Sequence, residues 1–154
     1  MKRAALSLLF LLSVPAGARC QQLGRFEYAV KFVCGPASAK PSVSVVAPGM
    51  YYTAINVHNP NEKGFVFRKK IAIALPEEKA GRVTKFFEAK LGPDEALEID
   101  CPDIMRHADA EGFLKGFVVI ESDLELDVVA VYTTTGATER VGTFFTERVP
   151  ARRR

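Results

Sequence analysis

The sequence predicts an all-β domain, a two-sheet antiparallel immunoglobulin-like sandwich of about eight strands with one short helix. Three observations carry this. Short runs rich in Val, Ile, Phe, Tyr and Thr recur along residues 26–147, separated by Pro, Gly, Asn and Asp. The early runs alternate apolar with polar residues, the period of a strand that turns one face inward. Only residues 102–110 carry the ingredients of a helix. A stretch of this length supports one domain with a real core, and no internal repeat or low-complexity segment divides it.

Residues 1–18 read as a cleaved signal peptide. Lys2 and Arg3 open it, residues 4–14 form an apolar run too short to span a bilayer, and Pro15 then Ala16-Gly17-Ala18 supply a small-residue cleavage site. Cleavage after Ala18 would leave residues 19–25 as a flexible mature N-terminus and place the chain in the periplasm or outside the cell. Cys20 lies near that point, but Arg19 before it is a poor fit to lipoprotein processing, which wants a small side chain there. Removing the leader takes two of the 21 basic residues and none of the 18 acidic ones, so the mature chain is close to neutral. Nucleic acid is therefore not an expected partner. The basic excess gathers in residues 148–154, which read as a disordered, solvated tail.

Within the domain, Phe26, Tyr28, Val30, Phe32 and Cys34 alternate with Glu27, Ala29 and Lys31 and define a first strand. After GPASAKPS comes a short edge-like SVSVV, then a strand in which Tyr51, Thr53, Ile55 and Val57 share a face and NPNEKG ends it. Phe65, Phe67, Ile71, Ile73 and Leu75 continue the alternation with Lys69 on the apolar parity, which suggests a bulge or an edge. Residues 83–91 form a weaker strand, and Leu97, Ile99 and Cys101 point inward from the next. Pro102 suits the first turn of a short helix. Residues 117–120 and 126–132 are nearly unbroken apolar runs around an acidic turn, read as a hairpin at the centre of a sheet with both faces covered. On that reading, Val129 and Val131 are core. Residues 140–146 form the last strand.

Three cysteines are present. In an oxidising compartment the two at strand ends, Cys34 and Cys101, are the natural pair, with Cys20 to Cys34 as the competitor. Cys101, Met105 and His107, with His58 upstream, are also the residue types of a copper site on a sandwich scaffold. Against that, Met precedes His and further strands follow, and a disulfide at Cys101 would exclude it. The acidic group Glu98, Asp100, Asp103, Asp109 and Glu111 lacks the fixed spacing of a calcium loop. Thr133, Thr134 and Thr135 have no nucleophile elbow and no histidine in triad order beside them. No cofactor, metal or catalytic residue is expected. Loop and strand-end residues Asn56, His58, Asn59, Asp103 and His107 are the candidates for binding.

The succession INVHNP, FRKKIAIALP, LGPDEALEIDC, KGFVVIES and LDVVAVYT, over about residues 50 to 135, resembles exported bacterial immunoglobulin-like β-sandwich proteins without an assigned function. More distantly it is similar to the sensory rhodopsin transducer family, in which an asparagine-ended strand, a Pro corner and a final Val-rich pair recur in this order. That resemblance implies an oligomeric sandwich acting through protein contacts. The leader and the cysteine pair depart from the family and argue against a cytoplasmic photoreceptor partner. The reading is thus an exported non-enzymatic module for a protein or envelope partner, homo-oligomer included, with a copper-type carrier near Cys101 and His58 as the alternative.

Overall fold

The computed structural model describes residues 25–38, 46–136 and 141–154. The leader, Cys20 and most of the SVSVV segment lie outside these residues. The described chain runs β1 (Phe26–Ala37), β2 (Gly49–His58), β3 (Phe65–Ala74), β4 (Ala80–Val83), β5 (Phe87–Leu91), β6 (Ala96–Asp100), α1 (Cys101–Ala108), β7 (Leu114–Ser122), β8 (Asp127–Thr135), β9 (Val141–Arg148) and β10 (Arg152–Arg153). Every strand pair is antiparallel.

The path of hydrogen-bonded neighbours is β4-β3-β7-β1-β2-β8-β9, with β10 on β1, β5 on β3 and β6 on β2. Strand β1 joins its two halves. Phe26 through Cys34 pair with β7, and Gly35 through Ala37 pair with β2. The change of partner falls at Gly35, whose φ is +90° and where a Cβ would sit 2.2 Å from the Gly112 carbonyl oxygen. Only glycine takes that backbone angle freely and allows that approach.

The centre of the chain is therefore not a hairpin. Strand β7 lies between β1 and β3, whereas β8 lies between β2 and β9, and the two do not pair. Residues 123–126 cross from one group of strands to the other. Their path is pinned by Tyr28, whose hydroxyl accepts from the Leu126 amide at 2.7 Å and donates to the Leu126 carbonyl at 3.1 Å. Nor are both faces of these strands covered. In β8, Val128 and Ala130 are fully buried, while Val129 and Val131 are half-buried on the opposite face. An apolar run reads the same whether the outer face meets another layer or only long neighbouring side chains, so periodicity alone overstated the burial of Val129 and Val131.

Residues 83–91 also divide. Strands β4 and β5 both add to β3, and Thr84 fills the gap between them, its Oγ1 accepting from the Ile71 amide at 2.9 Å and its amide donating to the Ile71 carbonyl at 2.9 Å. Lys69, the off-parity residue, sits where β5 begins and pairs with Phe87. Its stem is half-buried and its Nζ stands 5.6 Å from the Phe87 ring centre, an amphipathic placement that parity could not anticipate.

The basic C-terminal segment is not a disordered tail. Val149 is buried, Arg152 and Arg153 pair with Glu27 and Phe26, and the Arg154 guanidinium reaches Glu27 and Glu121. Two carboxylates on the face of β1 and β7 give the last arginines a binding place that composition alone conceals.

The inward residues of β1, β2, β3, β7 and β8 make one core with Ile99, Ile104 and Leu126. Helix α1 closes one end. Asp100 caps it, its side chain accepting from the Asp103 amide at 2.9 Å, with Asp103 returning the bond to the Asp100 amide. Arg106 and His107 lie in the last turn, where the helix dipole favours positive charge.

Candidate functional site

Two of the sequence candidates, His58 and Asn59, meet at the end of β2. His58 closes the strand beside Asp127 of β8 and Ala96 of β6. Its Nδ1 lies 3.3 Å from Asp127 Oδ2 and its Nε2 lies 3.1 Å from Asp94 Oδ1. Each contact needs an N–H, and neutral imidazole has only one, so the geometry suits the doubly protonated ring. The carboxylates of Asp127 and then Asp94 raise the pKa of His58 accordingly. Arg148 shares Asp127 from the other side at 2.7 Å.

Asn59 is fully buried and acts as the hub of this end. Its amide nitrogen donates to the carbonyls of Lys63 at 2.9 Å and Gly92 at 2.7 Å, and its oxygen accepts from the Asn61 backbone at 3.1 Å and side chain at 2.9 Å. Its backbone bonds Glu95 and Asp94. Asn61 passes the network on to the Glu125 carbonyl. Asn59 thus ties together the β2–β3, β5–β6 and β7–β8 connections. Asn59→Ala would leave several buried groups without partners and should cost about 2–4 kcal/mol, read as a lowered urea midpoint with an unchanged slope.

His58 yields a pH prediction whose sign follows from its raised folded-state pKa. Its contribution to stability is complete below the unfolded value of about 6.5 and is lost as pH rises through the higher folded value. The difference in melting temperature between the wild type and His58→Ala should therefore be larger at pH 6 than at pH 9. An equal difference at both would contradict the two-carboxylate bridge.

The remaining candidates are elsewhere. Asn56 lies mid-strand between Glu98 and Val129. Asp103 belongs to the helix cap and pairs with Arg106. His107 stacks on Phe87 at 4.0 Å and 15°, and its pKa is lowered by burial and then by Arg106 and Lys69. Cys101 is bonded to Cys34, S–S 2.01 Å, and its neighbour is Thr53. Thr53 and His58 stand five positions apart along extended β2, a span of roughly 17 Å.

The copper-type alternative loses its sulfur, since Cys101 is committed to the disulfide, and its histidines are dispersed, His58 at the far end of β2 and His107 stacked on Phe87. Among the described residues no group of three or more His, Cys, Asp and Glu side chains converges in a way that suits a metal ion. The five carboxylates considered for calcium are divided between the outer face of β6, the helix cap and the loop after α1. Thr133, Thr134 and Thr135 belong to β8.

A further set escaped the sequence reading. Glu121, buried, accepts from Arg68 Nε at 2.9 Å and Nη2 at 2.6 Å, and its other oxygen meets Arg154 Nη1 at 2.8 Å. Arg154 also pairs with Glu27. The signal was present only as a charge amid apolar residues of β7; its partners come from strands far apart in sequence.

No protein-family model matches the chain, and no curated protein matches it. Among solved structures it is similar to a protein of Thermotoga maritima described as "Thermotoga maritima 1070", with a TM-score of 0.50, 8% identity, and coverage of 83% of this chain and 93% of that one. At that identity the likeness concerns the fold alone.

Proposed function

We propose that the chain is an exported, non-enzymatic module of immunoglobulin-like sandwich type, its two groups of strands stacked across the shared core, that binds a protein or envelope partner through its strand faces. One observation carries this reading. The side chains suited to chemistry hold the fold together, while large aromatic residues stand exposed on strands. His58 bridges two carboxylates, Asn59 joins three loops, Asp103 caps a helix and Cys101 is in a disulfide. By contrast Phe144 is 66% exposed, Phe145 57%, Tyr52 47% and Phe117 41%. Tyr52, Thr133 and Phe144 follow one another across β2, β8 and β9, so two exposed rings flank a threonine in one row. Exposed apolar surface of this kind marks a place where another molecule is covered or met.

No helix among the described residues is long and apolar enough to cross a membrane, and nothing in the comparisons associates the chain with an enzyme.

The test is site-specific photo-cross-linking in cells that express the protein. Probes replacing Phe117 or Phe144 should give a discrete adduct in the envelope fraction, and a probe at the exposed loop residue Glu62 should not. Absence of an adduct from either strand face, or recovery of the protein with its leader uncleaved and its thiols free, would overturn the reading.

A further inference from the structure

The outer face of β1, β7 and β3 has a composition unlike the rest of the surface. Register places Lys31, Phe117 and Ala72 in one row across the three strands, and Ala29, Val119 and Lys70 in the next. Lys115 follows beside Val33, and Arg152 lies beside Glu27 at the opposite end. Small and apolar side chains thus form a floor, with a shallow depression of about 350 Å³ over Ala29, Ala72, Phe117 and Val119, rimmed by Lys70, Arg152 and Glu27.

The acids of this face are largely neutralised. Glu27 and Glu121 are held by Arg154 and Arg68, and Glu88 stands at the far corner beside Arg68. Among the described residues, no carboxylate forms an ion pair with Lys31, Lys70, Lys115 or Arg152. Burial, and then the charge of Lys115, lowers the pKa of Lys31.

We propose that this face docks an acidic protein surface, one whose carboxylates meet Lys31, Lys70, Lys115 and Arg152 around an apolar centre seated on Phe117 and Val119. The inference rests on the binding-module reading and names its partner's chemistry. An apolar centre with a charged rim is the ordinary anatomy of a protein interface, and the unpaired cations supply the complementarity.

The placement of the cations favours a protein over the other anionic surfaces of an envelope. Lys31 Nζ lies 5.0 Å from the Phe117 ring centre, while Arg68 and Lys70 approach the Phe86 ring at 4.4 Å and 4.6 Å. Rings engaged by cations in this way offer poor stacking platforms for a sugar. An open sheet face carrying one half-exposed phenylalanine also lacks the apolar depth with which amphipathic elements enter a lipid leaflet. Cations steadied over rings are instead presented in a fixed array, which reduces the entropy lost on pairing with carboxylates.

The experiment is an NMR titration of the intact mature protein at low and at physiological salt. The probes are a short peptide alternating glutamate with leucine, its lysine-for-glutamate counterpart, phosphatidylglycerol vesicles and a sulfated polysaccharide. The glutamate peptide should shift the amides of Lys70, Phe117 and Val119, bind at least tenfold more weakly at the higher salt, and lose at least tenfold in affinity in Lys31→Glu/Lys70→Glu/Lys115→Glu. The pair Lys115→Glu/Arg152→Glu, which leaves Lys31 and Lys70 in place and alters no fully buried residue, should lose affinity with an unchanged melting temperature. The lysine peptide should not bind.

The proposal is overturned if the glutamate peptide leaves this face unperturbed, if both variants bind it as the wild type does, or if vesicles or polysaccharide bind here in its place. An adduct from Phe144 in cells, with the peptide silent at Phe117, would discard this face and leave the module reading standing.

Discussion

Replacing Val128 with aspartate is expected to abolish folding, whereas the same change at Val129 is expected to leave a folded, soluble protein. Val128 is fully buried and faces Val57, itself fully buried, across the β2–β8 pair. A carboxylate there has no partner, and even in its neutral form it brings an unsatisfied hydroxyl and carbonyl into an apolar core. The cost is about 4 kcal/mol or more, a large part of the 5–15 kcal/mol that holds a typical domain together. At Val129 the side chain points to the half-exposed face, where its cross-strand neighbours are Asn56 on one side and Arg148 on the other. Aspartate opposite arginine at a partly solvated site changes stability by no more than about 1 kcal/mol. Circular-dichroism melts of the two variants provide the measurement. Equal loss of structure in both would mean that β8 is covered on both faces and that the assignment of its inner side is wrong.

That contrast also marks how far the sequence is legible. The alternation in β1 and β2 gave their inward residues correctly, because a polar residue between apolar ones fixes the face. In β7 and β8 the outward positions are apolar as well, so the pattern lost its phase information and Val129 and Val131 were misplaced. Long-range pairing was harder still. An acidic turn between two Val-rich runs signals a reversal of direction, but the choice between a hairpin and a crossing to other strands depends on Tyr28, a residue about a hundred positions away that secures Leu126. At the candidate site, His58 and Asn59 were recognisable from their place at a strand end before proline. Their partners Asp94, Asp127 and Gly92 were not, since Gly92 and Asp94 arrive from the β5–β6 turn and Asp127 from the start of β8, all distant in sequence. The basic tail misled for the same reason: nothing local to Arg154 indicates that Glu27 and Glu121 are waiting on the outer face.

Removing the Cys34–Cys101 bond is expected to cost about 4 kcal/mol, the chain-entropy value for a loop with ends 67 residues apart. In this chain the bond closes more than a loop. Cys34 is the last residue of β1 that pairs with β7, and Gly35 is the first that pairs with β2. Cys101 opens α1 directly after β6, which itself pairs with β2. The bond therefore clamps the position at which β1 passes from one group of strands to the other. Cys34→Ala/Cys101→Ala keeps these buried positions apolar, so its effect isolates the cross-link from the burial of a new polar group. The double variant should melt roughly 10–20 °C lower than the wild type. Its urea slope should rise, because an unfolded chain freed of the cross-link exposes more surface. Reductant should bring the wild type to the same midpoint while leaving the double variant unmoved. Peptide mapping of the oxidised protein should recover Cys34 joined to Cys101. Recovery of Cys34 joined to Cys20, or a wild-type midpoint insensitive to reductant, would show that the bond does not hold the β1 crossover and would reopen the role of Cys101.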